Sequence, residues 1–130
     1  MNNESPKIHS FTDLNVWKEG HKLVVSVYRI SKSFPKAETY LMVDQMRRAA
    51  SSITANIAEG FGRQTMKEKL QFYYQAQGSL TELKNFLLIA RDVDYLKRED
   101  FDLLAEQANL THRLLQGLIQ KTRSLINRKS

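Results

Sequence analysis

Apolar residues recur every three or four positions through four long segments, and this spacing constrains the fold more than any other feature of the sequence. The period places side chains on one face of an α-helix, and no segment shows the strict alternation of a half-buried strand. Short breaks separate the segments, at Ser33-Phe-Pro-Lys36, at Gly60 to Arg63 and after Asp94. Four long helices with short connections predict an all-α fold, an antiparallel up-down-up-down four-helix bundle.

Residues that start or stop helices set the predicted boundaries. Pro35 ends the first helix, because proline cannot continue a helix interior. Thr65 and Glu68 have the spacing of a capping box, which marks the start of the third helix. We predict helices over residues 13–33, 39–59, 65–94 and from 98 onwards. Residues 1–10 are expected to form a flexible tail, and residues 11–130 the bundle domain.

The first helix carries more apolar surface than one neighbouring helix would cover. One row runs through Leu14, Trp17 and His21, and a second row lies beside it through Val16 and Gly20. We expect His21 to be a hydrogen-bonded core or interface residue. The excess surface predicts contacts between subunits of a homo-oligomer.

The net charge of +6 is concentrated near the C-terminus. Up to Glu106 there are 15 Lys and Arg against 14 Asp and Glu, whereas residues 107–130 contain five basic residues and no acid. This asymmetry indicates a polyanionic partner. An alternative is that cations stabilise the C-terminal end of a helix, where backbone carbonyls leave negative partial charge. The five residues are Arg113, Lys121, Arg123, Arg128 and Lys129.

A second group of basic residues is expected near the turn between the second and third helices. Its members, like the C-terminal residues, are candidate phosphate contacts: Arg47, Arg48, Arg63, Lys67 and Lys69. Tyr73 and Tyr74 are candidate stacking surfaces, although their helical spacing favours at least one of them in the core.

Several function classes are excluded or disfavoured. The chain has no cysteine, so disulfides and thiolate metal sites are excluded. The N-terminus lacks the apolar stretch of a signal peptide, and no segment reaches the ~18 apolar residues of a membrane span. We expect a cytoplasmic protein with no membrane partner.

Catalytic residues are not recognisable in the sequence. The three histidines are scattered, and no Glu-x-x-His of a di-iron bundle occurs. Ser33 and Lys36 fit Ser-x-x-Lys by letters, but they lie at a proline break without the companion motifs of a serine acyl-enzyme. We therefore expect no enzymatic activity, no cofactor and no metal.

The segment Asn56-Ile-Ala-Glu-Gly-Phe-Gly-Arg63 has two glycines and a basic residue, as a phosphate-binding loop would. A dinucleotide fingerprint would need a third glycine at Thr65 and a preceding strand, and both are missing. We instead predict that Gly60 ends the second helix in a left-handed cap and that Gly62 gives the turn freedom. The negative charge of Glu59 is unfavourable near the C-terminal, negative end of a helix dipole. We therefore expect Glu59 to pair with Arg63, Arg48 or an arginine of a neighbouring subunit, with the lining of a polar channel as the alternative.

The same octapeptide belongs to a set of segments that resembles the four helix bundle protein family, also called the 23S rRNA intervening-sequence protein or S23 family. The set covers about residues 11–126 in the family's order. It comprises Phe11-Thr-Asp-Leu-Asn-Val-Trp17, Phe34-Pro35, Gln45-Met-Arg-Arg-Ala-Ala50, Ser52-Ile53, Asn56 to Arg63, Gly78-Ser79, Glu82-Leu83 and Ala90-Arg91.

The resemblance implies a small bacterial protein, often encoded in or near intervening sequences of 23S rRNA genes. It also implies an antiparallel four-helix bundle whose relatives assemble into a five-fold ring. A distant relative is the accessory protein of diversity-generating retroelements, a basic ring that engages nucleic acid and a reverse transcriptase. The family has no established catalytic residues.

Two functional hypotheses follow. The first is a non-catalytic oligomer, a pentamer by resemblance, that binds RNA or DNA through its basic surfaces, with RNA favoured. The second is a ring-shaped scaffold for a protein partner, with no role in nucleic-acid binding. Both predict an oligomer, and they differ in the role of the basic C-terminal segment.

Overall fold

The computed structural model describes residues 7–129, except for the side chain of Lys129. Over this range the chain forms four α-helices: α1 (Asn15–Ser31), α2 (Asp44–Phe61), α3 (Met66–Asp92) and α4 (Arg98–Lys129). A 3-10 turn (Phe11–Asp13) precedes α1, and a 3-10 turn (Lys36–Glu38) followed by a π-helical turn (Thr39–Val43) joins α1 to α2. The predicted helices are confirmed in number and order.

Each helix runs antiparallel to the next. Early residues of one helix of a pair contact late residues of the other, while residues near the middle contact each other. Between α1 and α2 these contacts are Ser31 with Arg47 and Tyr28 with Ser51. Between α2 and α3 they are Ser52 with Ser79 and Gly60 with Tyr73. Between α3 and α4 they are Lys84 with His112 and Arg91 with Phe101. Because α1 also contacts α4, the four helices close into the predicted up-down-up-down bundle.

The core receives buried side chains from all four helices. Leu23, Ile53, Leu83 and Leu115 have no exposed surface. The buried face of α4 includes Thr111, whose hydroxyl donates to the carbonyl oxygen of Gln107 at 2.8 Å. This bond satisfies the polar group where it is buried, so the threonine is compatible with the apolar core.

The chain before α1 is held by local hydrogen bonds. The backbone amides of His9 and Ser10 donate to Asp13 Oδ2 at 3.0 and 3.1 Å. These two bonds, from His9 and then Ser10, hold the pKa of Asp13 below its ordinary value. Residues 1–6 of the predicted tail lie outside the described residues.

Gly60 and Gly62 do not adopt the left-handed conformation, so the predicted left-handed cap is wrong. Gly60 is buried within α2, and Gly62 follows the helix with φ −78° and ψ −9°. A Cβ atom on Gly60 would lie 2.7 Å from Tyr73 Cε1 and 3.0 Å from the Cβ of Phe72. Glycine is therefore required at position 60 by the close approach of α3, not by its own backbone dihedrals.

The left-handed cap occurs instead at Asp94, between α3 and α4, where φ is +64°. The amide of Tyr95 donates to the carbonyl of Ala90, and the amide of Asp94 donates to that of Arg91. These two bonds form a Schellman motif, with aspartate in the position where glycine is commonest. At the start of α3, the Thr65 hydroxyl accepts from the amide of Glu68 at 3.1 Å, as its half of the predicted capping box requires.

Candidate nucleic-acid interface

Each helix contains a stretch that has no Lys, Arg, Asp or Glu. We call these stretches together the charge-free belt, and it comprises residues 23–28, 49–58, 70–81 and 107–112. Tyr28 contacts Ser51, and Ser52 contacts Ser79, so the segments of α1, α2 and α3 lie side by side, whereas the segment of α4 borders Lys84 of α3 through His112. The belt divides the charged residues of the molecule into two groups.

The two ends of the bundle differ in charge. One end, called here the basic half, contains residues 7–22, 59–69 and 113–128, with ten Lys and Arg against four Asp and Glu. The other end, the neutral half, contains residues 29–48 and 82–106, with nine of each. Because the helices are antiparallel, the charge asymmetry of the sequence becomes a difference between the two ends of one molecule.

The C-terminal basic residues remain available on the basic half. Arg113, Lys121, Arg123 and Arg128 are exposed, and none forms an ion pair with another described residue. Arg123 and Arg128 flank a surface groove of about 400 Å³ along α4. The side chain of Lys129 lies outside the described residues.

Arg47 and Arg48 do not lie near the α2–α3 turn, so the predicted grouping is wrong for these two residues. They lie at the start of α2, about 22 Å along the helix from Arg63. The half-buried Arg47 donates to Ser31 Oγ at 3.0 Å and to the carbonyl of Tyr28 at 3.1 Å. Arg47 thus caps the C-terminal end of α1, while Arg48 pairs with Asp44 at 3.1 Å.

Lys69 and Arg63 do lie at the turn, but both have intramolecular partners. Lys69 Nζ donates to the carbonyl of Phe61 at 2.6 Å, and burial lowers its pKa. The guanidinium of Arg63 pairs with Glu59 at 2.5 Å, which selects one of the three partners expected for that carboxylate. Within the described residues, Lys67 is the member of the second predicted group that is exposed and has no such partner.

Two further predicted residues serve the bundle itself. Asn56 Nδ2 donates to the carbonyl and hydroxyl oxygens of Ser52, and Ser52 Oγ lies 2.8 Å from Ser79 Oγ on α3. Tyr73 is buried against Gly60 and offers no stacking surface, whereas the side chain of Tyr74 is exposed.

Trp17 belongs to a ring stack that the sequence reasoning missed. Its indole lies 4.8 Å from the imidazole of His21, with 13° between the ring planes. The ring of Phe11 contacts the indole edge-on at 5.3 Å. Of the two places expected for His21, the core is wrong, because its side chain is exposed, and a subunit interface stays a prediction. Spacing of four residues on a helix was the available signal, since it places both rings on one face.

Most of the exposed large apolar residues lie in the neutral half. Of the ten among the described residues, only Ile8 lies in the basic half, and Val25, Tyr28 and Tyr74 lie in the belt. Tyr40 is 90% exposed and Leu41 63% exposed. These two and the remaining four lie in the neutral half: Leu88, Ile89, Val93 and Leu103.

Within the described residues, no three His, Asp or Glu side chains are grouped closely enough to hold a metal ion. A search of this same range for a helix that combines bilayer-spanning length with sufficient hydropathy also finds none.

Comparison with known proteins identifies the family. The family described as 23S rRNA-intervening sequence protein matches residues 12–117. The chain belongs to this family. No curated protein matches its sequence.

A solved relative supports the fold of this 23S rRNA-intervening sequence family member. It is a protein with unknown function of the S23 ribosomal protein family from Bacteroides thetaiotaomicron. The match has a TM-score of 0.72 at 20% identity, and it covers 80% of this chain and 97% of the solved chain.

The family match and the basic surface overlap only in part. The match ends at Gly117, so Lys121, Arg123 and Arg128 lie beyond it, whereas Trp17 and Arg113 lie within it. Family membership therefore describes the bundle of this protein and does not extend to the C-terminal basic turns of α4.

Proposed function

We propose that this member of the 23S rRNA-intervening sequence family is a non-catalytic homo-oligomer that binds nucleic acid, with RNA favoured, through its basic half. The observation that carries the proposal is the division of charge between the two ends of the bundle. Four exposed cations on α4 are uncompensated there, and residues 107–128 contain no carboxylate. The association of the family name with 23S rRNA favours RNA over DNA.

Phosphate contacts by Lys and Arg release condensed counterions from the nucleic acid, so affinity falls as salt rises. Four contacts on a single strand give a slope of about −3 in log K against log salt concentration. Affinity should then fall about 50-fold between 50 and 200 mM salt. An oligomer would repeat the same contacts and steepen this dependence.

The neutral half is the proposed contact between subunits, in place of the first-helix rows expected from the sequence, because Val16 and Gly20 of those rows are buried within the bundle. It carries most of the exposed large apolar residues and has no net charge to oppose association. The five-fold stoichiometry is taken from the family resemblance. We expect Leu41→Glu and Leu103→Glu to reduce the assembled mass measured by light scattering. Ile8→Glu, a matched exposed residue in the basic half, should leave the mass unchanged.

The proposal is tested by fluorescence anisotropy with labelled RNA and duplex DNA at several salt concentrations. The variant carries Lys121→Gln, Arg123→Gln and Arg128→Gln. The matched control carries Lys32→Gln, Lys36→Gln and Lys97→Gln, which remove three exposed charges from the neutral half. A weaker affinity and a shallower salt slope in the first variant alone would support the proposal. Absence of binding at low salt would refute it.

The second candidate is a protein-interaction scaffold without a nucleic-acid role, located in the cytoplasm like the first. The near-complete exposure of Tyr40 on a π-helical turn favours this candidate, because a large aromatic side chain in that setting suits a protein contact. It predicts an intact oligomer that is indifferent to RNA at every salt concentration.

A further inference from the structure

We propose that Trp17 and His21 form a stacking site for an unpaired base, and that this site makes the protein select single-stranded over double-stranded nucleic acid. The inference deepens the proposed function and rests on it for the identity of the polymer. The observation behind it is the exposed ring stack on the basic half, beside lysines that lie within one helical turn.

The ring stack is held in place from one side. Phe11 contacts the indole of Trp17 edge-on, and the indole is half-buried against the bundle. Trp17 covers one face of the His21 imidazole, and among the described residues no other ring stacks on His21. The exposed imidazole is thus the end of a preformed column, and a planar base can extend it at little entropic cost.

The surroundings suit a nucleotide. A groove of about 510 Å³ is lined by both rings, by Asn15, Lys18, Glu19 and Lys22 on α1 and by Leu110 and Leu114 on α4. The groove is open to solvent, and it combines apolar walls with a few charged groups as small-molecule sites do. Lys22 pairs with Glu19 at 3.1 Å, whereas Lys18 is exposed and has no ion-pair partner among the described residues. Lys18 is the proposed phosphate contact.

Stacking on a side chain requires a base whose face is free. In a duplex both faces are covered by neighbouring base pairs, whereas single strands can unstack bases onto aromatic side chains. Aromatic stacking changes affinity by about 5- to 150-fold per base. The cations of α4 can bind the phosphates of single strands and duplexes alike, so the ring stack is the feature that distinguishes single strands from duplexes.

The site lies close enough to the α4 cations to share one strand with them. Lys121 follows Leu114 by two helical turns, about 10 Å along the axis of α4. Arg113 adjoins Leu114 in sequence and is exposed. A strand whose base stacks at His21 therefore has phosphate-binding side chains within a few nucleotides.

The test uses the intrinsic fluorescence of Trp17, the single tryptophan of the chain. Trp17 is excited at a wavelength that adenine does not absorb. The protein is titrated first with the trinucleotide of adenosine, and then with single-stranded and duplex RNA of equal length. We expect saturable quenching by the trinucleotide and by the single strand. His21→Ala should weaken trinucleotide binding by about 5-fold or more, and His21→Phe should retain it. Tyr28→Ala removes another exposed ring of α1 and should have no effect.

The outcomes separate this inference from the proposed function. Equal, salt-dependent binding of single strands and duplexes without quenching would overturn the stacking site and leave the α4 contacts standing. Trinucleotide quenching that persists in the α4 triple variant, with polymer affinity lost, would support both. Emission that changes with protein concentration and not with nucleotide would show that a second copy covers Trp17, which would overturn the inference.

Discussion

Gly60→Ala should destabilise the protein although alanine is the better helix former. In an unobstructed helix interior, replacing glycine with alanine stabilises by about 0.5–1 kcal/mol. At Gly60 the added Cβ would lie 2.7 Å from Tyr73 Cε1, where ordinary contacts begin at 3.4 Å. The neighbours must therefore move by several tenths of an ångström.

Relief of this contact is difficult because of what surrounds it. Tyr73 is only 3% exposed, and the second close atom is the Cβ of Phe72, which is fixed to the backbone of α3. The two helices must separate, and such overpacking costs about 1–3 kcal/mol. After the gain in helix propensity is subtracted, we expect Gly60→Ala to lower the free energy of unfolding by about 1 kcal/mol.

The matched controls are Gly78→Ala and Gly117→Ala. Both residues are helical and exposed, and a Cβ atom on either would meet nothing within 4 Å. Each substitution should raise stability by about 0.5–1 kcal/mol. At about 3 °C per kcal/mol, thermal midpoints at one protein concentration should separate Gly60→Ala from either control by about 5 °C.

A double substitution sharpens the test. In a Tyr73→Leu background the ring atoms that oppose the new Cβ are gone, so Gly60→Ala should cost less there than in the native chain. If Gly60→Ala stabilised the protein as much as Gly78→Ala does, the close approach of α2 and α3 would not explain the glycine.

Three smaller predictions concern other side chains. Arg47→Gln should lower the free energy of unfolding, measured in urea, by about 1–2 kcal/mol because two hydrogen bonds at the end of α1 are lost. The exposed control Arg48→Gln should lower it by less than ~0.5 kcal/mol. Burial, and then the charge of Lys84, lowers the pKa of His112 below 6.5. The unfolded chain binds that proton first, so stability should fall as pH drops through 6.5, and less so in His112→Gln. Asp94→Gly should raise the thermal midpoint and stabilise the protein by up to about 1 kcal/mol, because glycine adopts φ +64° without strain. An unchanged midpoint would contradict strain at this cap.

The helices were predictable because their spacing records burial directly. On α4, Leu104, Ala108 and Leu115 recur at intervals of four and seven residues, and all three are buried. The turns were not, because the sequence near Gly60 fits a left-handed cap and a close helix contact equally well. Only the position of Tyr73 decides between them, and it depends on how α3 packs. Asp94 was overlooked as a cap because aspartate rarely takes that place.

The candidate site was predictable only where it depends on charge. Exposed cations on α4 follow from a helix that contains no acid beyond Glu106. Arg47 and Lys69 carry the same charge, but each donates to backbone carbonyls at the end of another helix. Such capping joins residues that are distant along the chain, and residue type alone does not reveal it.

The charge-free belt gives the molecule a direction. With the net positive charge at one end and none at the other, the protein has a large electric moment along the bundle axis. In the field of a polyanion it experiences a torque before contact, and it arrives with the basic end first. Fewer collisions are then wasted on the wrong orientation, and added salt should slow association more than it speeds dissociation.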